Sequence, residues 1–156
     1  MENNKKIYLG SDHAGFNLKE KIKDFLGSLG YEYEDLGPKS YEAGDDYSDY
    51  AFLVADSAAK SGGLGILICS SGVGMCIAAN KIKGIRAVNA YNVQIAIKSR
   101  EHNNTNILCL GQDYINWQLA QEIIKAWLET DFSSEEKHHR RVQKIINQED
   151  KGEINV

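Results

Sequence analysis

The chain has 156 residues, 42% hydrophobic and 26% charged, with a net charge of -4, a size and balance that fit one globular domain with a substantial core. The acidic balance argues against a nucleic-acid partner, and no apolar run approaches membrane-spanning length. Met1 to Lys6 lacks the hydrophobic core of a signal peptide, and three cysteines without metal-type spacing suit a reducing compartment, so a cytoplasmic location is expected.

In chain order, the first strand candidate is Ile7-Leu9, followed by Gly10-Ser11-Asp12-His13-Ala14-Gly15. Asp12 there is either a helix N-cap or a functional carboxylate, and His13 beside it favours function. Leu18, Ile22, Phe25, Leu26 and Leu29 keep helical spacing, with Gly30 as the stop. A second strand is predicted over Tyr31-Leu36. Ala51, Val54, Ala55 and Ala58 mark a second helix that Gly62 and Gly63 end.

The stretch Gly65 to Lys81 reads as a buried strand, a glycine-bearing turn and a helix start. Ile66, Leu67 and Ile68 show no polar alternation, as expected of a central parallel strand covered on both faces. Cys69 then opens the turn Ser70-Ser71-Gly72-Val73-Gly74, whose backbone amides can be aimed at an anion beside the positive end of the following helix. A thiol at that position is suited to act as base or nucleophile; the competing reading is a small packed hydrophobe. Cys76 falls inside the helix and Cys109 in mid-strand, where both should pack. The glycines match neither the full dinucleotide fingerprint nor a Gly-Lys-Ser/Thr phosphate loop.

A fourth strand is expected over Ile85-Asn89, and Asn89-Ala90-Tyr91-Asn92 then reads as a cap for a helix from Asn92 to Arg100. His102-Asn103-Asn104-Thr105-Asn106 follows, ahead of a fifth strand at Asn106-Leu110. His102 is either an acid-base group or a loop residue beside a helix C-terminus. Ala120, Ile123, Ile124, Trp127 and Leu128 mark another helix. Ser133 to Gln148 reads as a terminal helix capped by Ser133 or Ser134, with Lys137, Arg141 and Lys144 on one face: a solvated face or a phosphate-capturing one. The polar tail from Gln148 should fray.

The alternation predicts a five-stranded parallel, doubly wound sheet in a three-layer α/β/α, Rossmann-like fold. Ligands of such sheets sit outside the carboxyl ends of the strands.

Together, Ser11-Asp12-His13-Ala14-Gly15, Ile68-Cys69-Ser70-Ser71-Gly72-Val73-Gly74, Ile77-Ala78-Ala79-Asn80-Lys81, Gly84-Ile85-Arg86-Ala87 and His102-Asn103-Asn104-Thr105-Asn106 resemble type B ribose-5-phosphate isomerases, over about Lys6 to Ile146. His138-His139-Arg140-Arg141-Val142 is similar to that family's basic C-terminal helix. The resemblance implies interconversion of ribose 5-phosphate and ribulose 5-phosphate through an enediolate, a step of the non-oxidative pentose phosphate pathway. It implies no metal or other cofactor, and a homodimer with active sites between subunits and the helix at 133-148 packed on the partner; pairing into tetramers stays open.

It also implies roles. Cys69 matches the proton-transfer base, and Ser71 with the amides from Ser70 through Gly72 and Val73 to Gly74 the anion hole. His102 matches the ring-opening acid, with Asp12 as its counterpart. Tyr47 and Asn103 match sugar contacts; His13, Lys137 and Arg141 match the phosphate set. The chain departs from the pattern at Asp113, where many members have Arg, at Lys137 for a frequent Arg, at Ser48 for a usual Pro, which would loosen the Tyr47 loop, and at Met75 for the Glu that is the base of another subgroup. Two other readings stay open: a related isomerase of another aldose or hexose phosphate, such as allose 6-phosphate or galactose 6-phosphate, and a non-catalytic sugar-phosphate binding module.

Overall fold

The computed structural model describes residues 5–151. The strands are β1 (Ile7–Ser11), β2 (Tyr33–Asp35), β3 (Leu64–Cys69), β4 (Ala87–Asn89) and β5 (Ile107–Gly111). The helices are α1 (Phe16–Ser28), α2 (Tyr47–Ser61), α3 (Val73–Ala79), α4 (Val93–Asn103), α5 (Trp117–Glu129) and α6 (Glu136–Lys151). All strand pairs are parallel, in the order β2-β1-β3-β5-β4, as the alternation predicts.

The helices bury most of the stripes their spacing foretells, although Leu29 lies past the end of α1 and is exposed. On one face Leu18, Ile22 and Leu26 of α1 meet Ala96 of α4 and Ile123, Ile124 and Trp127 of α5; on the other, Ala51, Val54, Ala55 and Ala58 of α2 meet Met75, Ala78 and Ala79 of α3. Fully burying one large apolar side chain stabilises by about 1.5–3 kcal/mol. β3, the middle strand, is buried at every residue. Gly30 and Gly62 take the positive φ values, 81° and 69°, that let α1 and α2 end abruptly.

Several boundaries differ from the expectation. β2 is shorter than Tyr31-Leu36 and β4 shorter than Ile85-Asn89, because an apolar flank says nothing about where ladder pairing stops. α4 runs three residues past Arg100 and ends on Asn104 at φ 47°, so His102 and Asn103 belong to its last turn. Tyr47 and Ser48 open α2 instead of lying in a loop, so Ser48 in place of Pro does not loosen a Tyr47 loop. α6 starts at Glu136, with the Ser133 hydroxyl accepting from the Glu135 amide at 3.1 Å. It continues to Lys151, anchored where Lys83 pairs with Asp150 and the Gly84 amide donates to Glu149 Oε2 at 3.1 Å. The expected fraying of 152–156 falls outside the described residues.

One buried charge cluster clamps α1 to β2. Lys19 is fully buried and donates to Asp35 Oδ2 at 2.6 Å and to the Pro38 carbonyl at 2.9 Å; Lys23 reaches the same carboxylate at 3.0 Å. Burial alone would push the Asp35 carboxyl up, but Lys19, the Gly37 amide and Lys23 hold it below the usual carboxylate range. Its stabilisation is therefore present above the ordinary carboxylate pKa and lost as pH falls through the lowered value. Lys19→Met should destabilise at neutral pH by about 3 kcal/mol, the lower end for breaking a buried pair because Lys23 remains. In urea titrations the deficit should shrink in acid, where Asp35 protonates in both chains.

Candidate active site

The strand order reverses between β1 and β3, and the segments leaving their carboxyl ends meet at that switch point, where sheets of this kind bind ligands. They approach closely. The Asp12 amide donates to the Ile68 carbonyl at 3.3 Å, and a Cβ on Gly15 would lie 2.3 Å from that oxygen. A Cβ on Gly111 would lie 2.4 Å from the Ser71 carbonyl, and one on Gly72, at φ 79°, 2.5 Å from Asn89 Oδ1. Only glycine permits these contacts.

Cys69 ends β3 with 4% of its surface exposed. The Gly72 amide donates to its Sγ at 3.0 Å, and the Val73 amide donates to the Ser71 hydroxyl at 3.2 Å. Two of the amides assigned to the anion hole are thus already engaged, one of them by the sulfur itself. Asn89 Nδ2 and the Tyr91 hydroxyl donate to the Ser71 carbonyl at 3.2 and 2.9 Å, holding the turn from the β4 side. Asn92 is the helix cap expected, accepting from the Ile95 amide at 2.9 Å. Reading all of Asn89-Ala90-Tyr91-Asn92 as a cap nevertheless misses Asn89 and Tyr91, whose partner is distant in sequence. Cys109 is fully buried and Cys76 half-buried, as packing residues should be. Met75 is fully buried too, so no carboxylate stands there as a second base.

Asp12 is 7% exposed and accepts from the Gly15 amide at 3.1 Å, a turn role; burial pushes its carboxyl up against the opposing pull of that amide and of His13. Upward is also the direction that makes a carboxylate a better proton acceptor. His13 donates from its amide and from Nδ1 to Asp45 Oδ1, at 3.0 and 2.8 Å, and this bond raises the imidazole pKa. Asp45 is a site residue that sequence patterning does not single out. Tyr47 lies over the anion turn: a Cβ on Gly74 would lie 2.7 Å from its ring.

The remaining predicted site residues lie elsewhere. α4 leaves the carboxyl end of β4 and runs back towards the amino end of β5, so its 11 residues carry His102 and Asn103 about 16 Å along the sheet. There the His102 ring stacks on His138 at 4.2 Å, and the Ser133 amide donates to the Glu101 carbonyl at 3.0 Å. Lys137 shares that end and pairs with Glu135 at 2.6 Å; Arg141, one turn on, is exposed. The run Lys137-His138-His139-Arg140-Arg141 does not form one cationic face: His138 is buried, and His139 bonds the Ser133 carbonyl at 2.8 Å. Burial, then His102 and Lys137, push the His138 imidazole pKa down. A cavity of about 990 Å³ opens near this second cluster, between β4, α4 and α6, lined in part by Arg86, Asn103 and Lys144.

Among the described residues no group of three or more His, Cys, Asp or Glu is placed to hold a metal ion, and no helix is long and apolar enough to cross a membrane.

The family model described as Ribose/Galactose Isomerase matches residues 7–145. The chain belongs to this family. It is similar to ribose-5-phosphate isomerase B of Escherichia coli, 44% identical over 90% of this chain and 94% of that one. Among solved structures it resembles Clostridium thermocellum ribose-5-phosphate isomerase B, with TM-score 0.90, 44% identity and coverage of 95% and 99%. The Mycoplasma genitalium ribose-5-phosphate isomerase B, crystallised with bound ribulose-5-phosphate, aligns with TM-score 0.91 and 40% identity over 94% of this chain and 97% of that one.

Within this family member the glycines of the turn have separable roles. Gly72→Ala should cost about 1–3 kcal/mol, from the positive φ and the contact with Asn89. Gly74→Ala meets only the half-exposed ring of Tyr47, which can swing aside, and should leave stability within about 0.5 kcal/mol while raising KM. Thermal melts of the two variants beside their kinetics check this.

Proposed function

We propose that the chain interconverts ribose 5-phosphate and ribulose 5-phosphate as a cytoplasmic homodimer in which each active site takes one cluster from each subunit. The observation that carries the reading is the separation of the predicted site residues into two clusters. Asp12, His13, Tyr47 and the Cys69–Gly74 turn lie at the carboxyl ends of the strands, while His102, Asn103, Lys137 and Arg141 lie with the far end of α4. A two-fold partner makes each end of one chain meet the opposite end of the other, with α6 as part of the contact.

In the site so assembled, the partner subunit's His102 protonates the furanose oxygen while Asp12 accepts the anomeric hydroxyl proton, opening the ring. The Cys69 thiolate then takes the C2 proton. Electrons from that C–H bond form the C1–C2 double bond, and the C1 carbonyl oxygen takes the charge. Ser71 and the turn amides other than the engaged Gly72 and Val73 stabilise this oxyanion, a contribution that mutagenesis elsewhere puts at about 2.7–4 kcal/mol for a single donor. Returning the proton to C1 as the O2 proton moves to O1 gives the ketose. His13, with the partner subunit's Lys137 and Arg141, holds the phosphate, Tyr47 and the partner subunit's Asn103 the hydroxyls.

A second substrate reading rests on two residues. Asp113 places an exposed carboxylate next to the anion turn, its amide donating to the Ser70 carbonyl at 3.0 Å, and Lys137 is already paired with Glu135. Both weaken the phosphate end, which favours a hexose or an unphosphorylated aldose as substrate.

kcat/KM measured with EDTA on ribose 5-phosphate, beside ribose, allose 6-phosphate and galactose 6-phosphate, separates the readings: the pentose phosphate should be the best substrate. Preference for ribose or for a hexose phosphate supports the second reading, and no turnover of any supports a binding module. Cys69→Ala and His102→Ala should each be inactive alone with the fold kept. Mixing them in equal amounts after subunit exchange should restore about a quarter of native activity, since half of the dimers then hold one intact site; no recovery would reject sharing.

A further inference from the structure

Asp45 is buried, its side chain 8% exposed against 37% for His13. It lies in the segment between β2 and α2, 32 residues from His13. His13 supplies two donors to its Oδ1, the backbone amide at 3.0 Å and ring Nδ1 at 2.8 Å, and the Tyr50 hydroxyl also interacts with this carboxylate. A carboxylate removed from water needs a charged or hydrogen-bonding counterpart, and here His13 supplies it. Because a carboxylate only accepts, Nδ1 must carry a proton, and Nε2 is left as the nitrogen available to a ligand.

This settles which form of His13 can hold a phosphate. Neutral His13, with its proton on Nδ1, presents a lone pair at Nε2 and repels phosphate oxygens. The imidazolium presents a donor N–H and a positive charge.

We propose that Asp45 is a positioning residue of the phosphate site, locking the His13 ring through Nδ1 so that Nε2 binds phosphate in the imidazolium form alone. The proposal rests on the phosphate role given to His13 above and adds to it a residue and a protonation requirement. Asp12 and Asp45 are the charges facing His13, both raising its pKa, and the edge-on Tyr41 ring lies 6.1 Å from it. Beside Asp45 stands Tyr50, whose hydroxyl is pushed up by burial, by the Asp45 charge and a hydrogen bond with Asp45, and by Glu42 and Asp49. Asp45 and Asp12 both favour the cation. The sign is then fixed: below the raised pKa His13 is charged and binds, and phosphate is released as pH rises through it.

Asp45→Asn keeps the shape and both accepted bonds but removes the charge. In the full-length native and variant proteins, the His13 ring signals followed by NMR should titrate at lower pH in the variant. KM for ribose 5-phosphate should stay near native at pH 6 and rise about tenfold at pH 8, the scale of one charge-assisted hydrogen bond, with kcat little changed. Asp45→Ala frees the neutral ring to place its proton on Nε2, so the pH dependence of KM should flatten. If the chain does not turn over ribose 5-phosphate, the function above fails while the proposal is still read, from the His13 titration and from inorganic phosphate affinity at the two pH values. An unchanged His13 titration in Asp45→Asn, or an affinity loss equal at both pH values, overturns it.

Discussion

The site depends on how closely three backbone segments approach at the carboxyl ends of β1, β3 and β5. Gly15 sits against the Ile68 carbonyl, Gly111 against the Ser71 carbonyl and Gly72 against Asn89, each where a Cβ would fall within 2.5 Å of its neighbour. These contacts fix the turn after Cys69 in space, and Asn89 and Tyr91 tie down its Ser71 carbonyl. The sulfur therefore meets a backbone amide whose position is set by the close approach of these segments.

A second constraint is the direction of a crossover helix. In a parallel sheet a helix must travel antiparallel to the strands it joins. A residue in its last turn is consequently carried away from the end where ligands bind. His102 and Asn103 occupy such positions on α4, and α6 keeps Lys137 and Arg141 beside them. Within one chain the clusters face opposite ends of the sheet, so a site needing both calls on a second copy. Oligomer formation would then be a geometric requirement of the chemistry, beyond any gain in stability.

Charge at the carboxyl ends of the strands follows a different logic from charge in the core. The Lys19–Asp35 cluster is buried and mutually satisfied, and its effect is structural. His13–Asp45 is half open: the carboxylate is buried while the ring reaches the surface, so the buried charge acts through the ring on whatever lies beyond.

The sequence by itself determined the element order, the buried stripes and the turn chemistry, because these follow from local periodicity and from the backbone freedom of glycine. Ile66 to Ile68 identify the central strand, and Cys69 with the glycines after it marks where a ligand would sit. Family-specific motifs added the roles of distant residues. Tertiary structure alone decided which of them meet. Asp45 lies 32 residues from His13 and resembles any loop acid, Asn89 resembles part of a helix cap, and the five-residue basic run turns out to divide between a buried face and the surface. Each of these depends on through-space neighbours of high sequence separation, which no local pattern encodes. The placement of His102 far from Cys69 likewise follows from the path of α4 across the sheet.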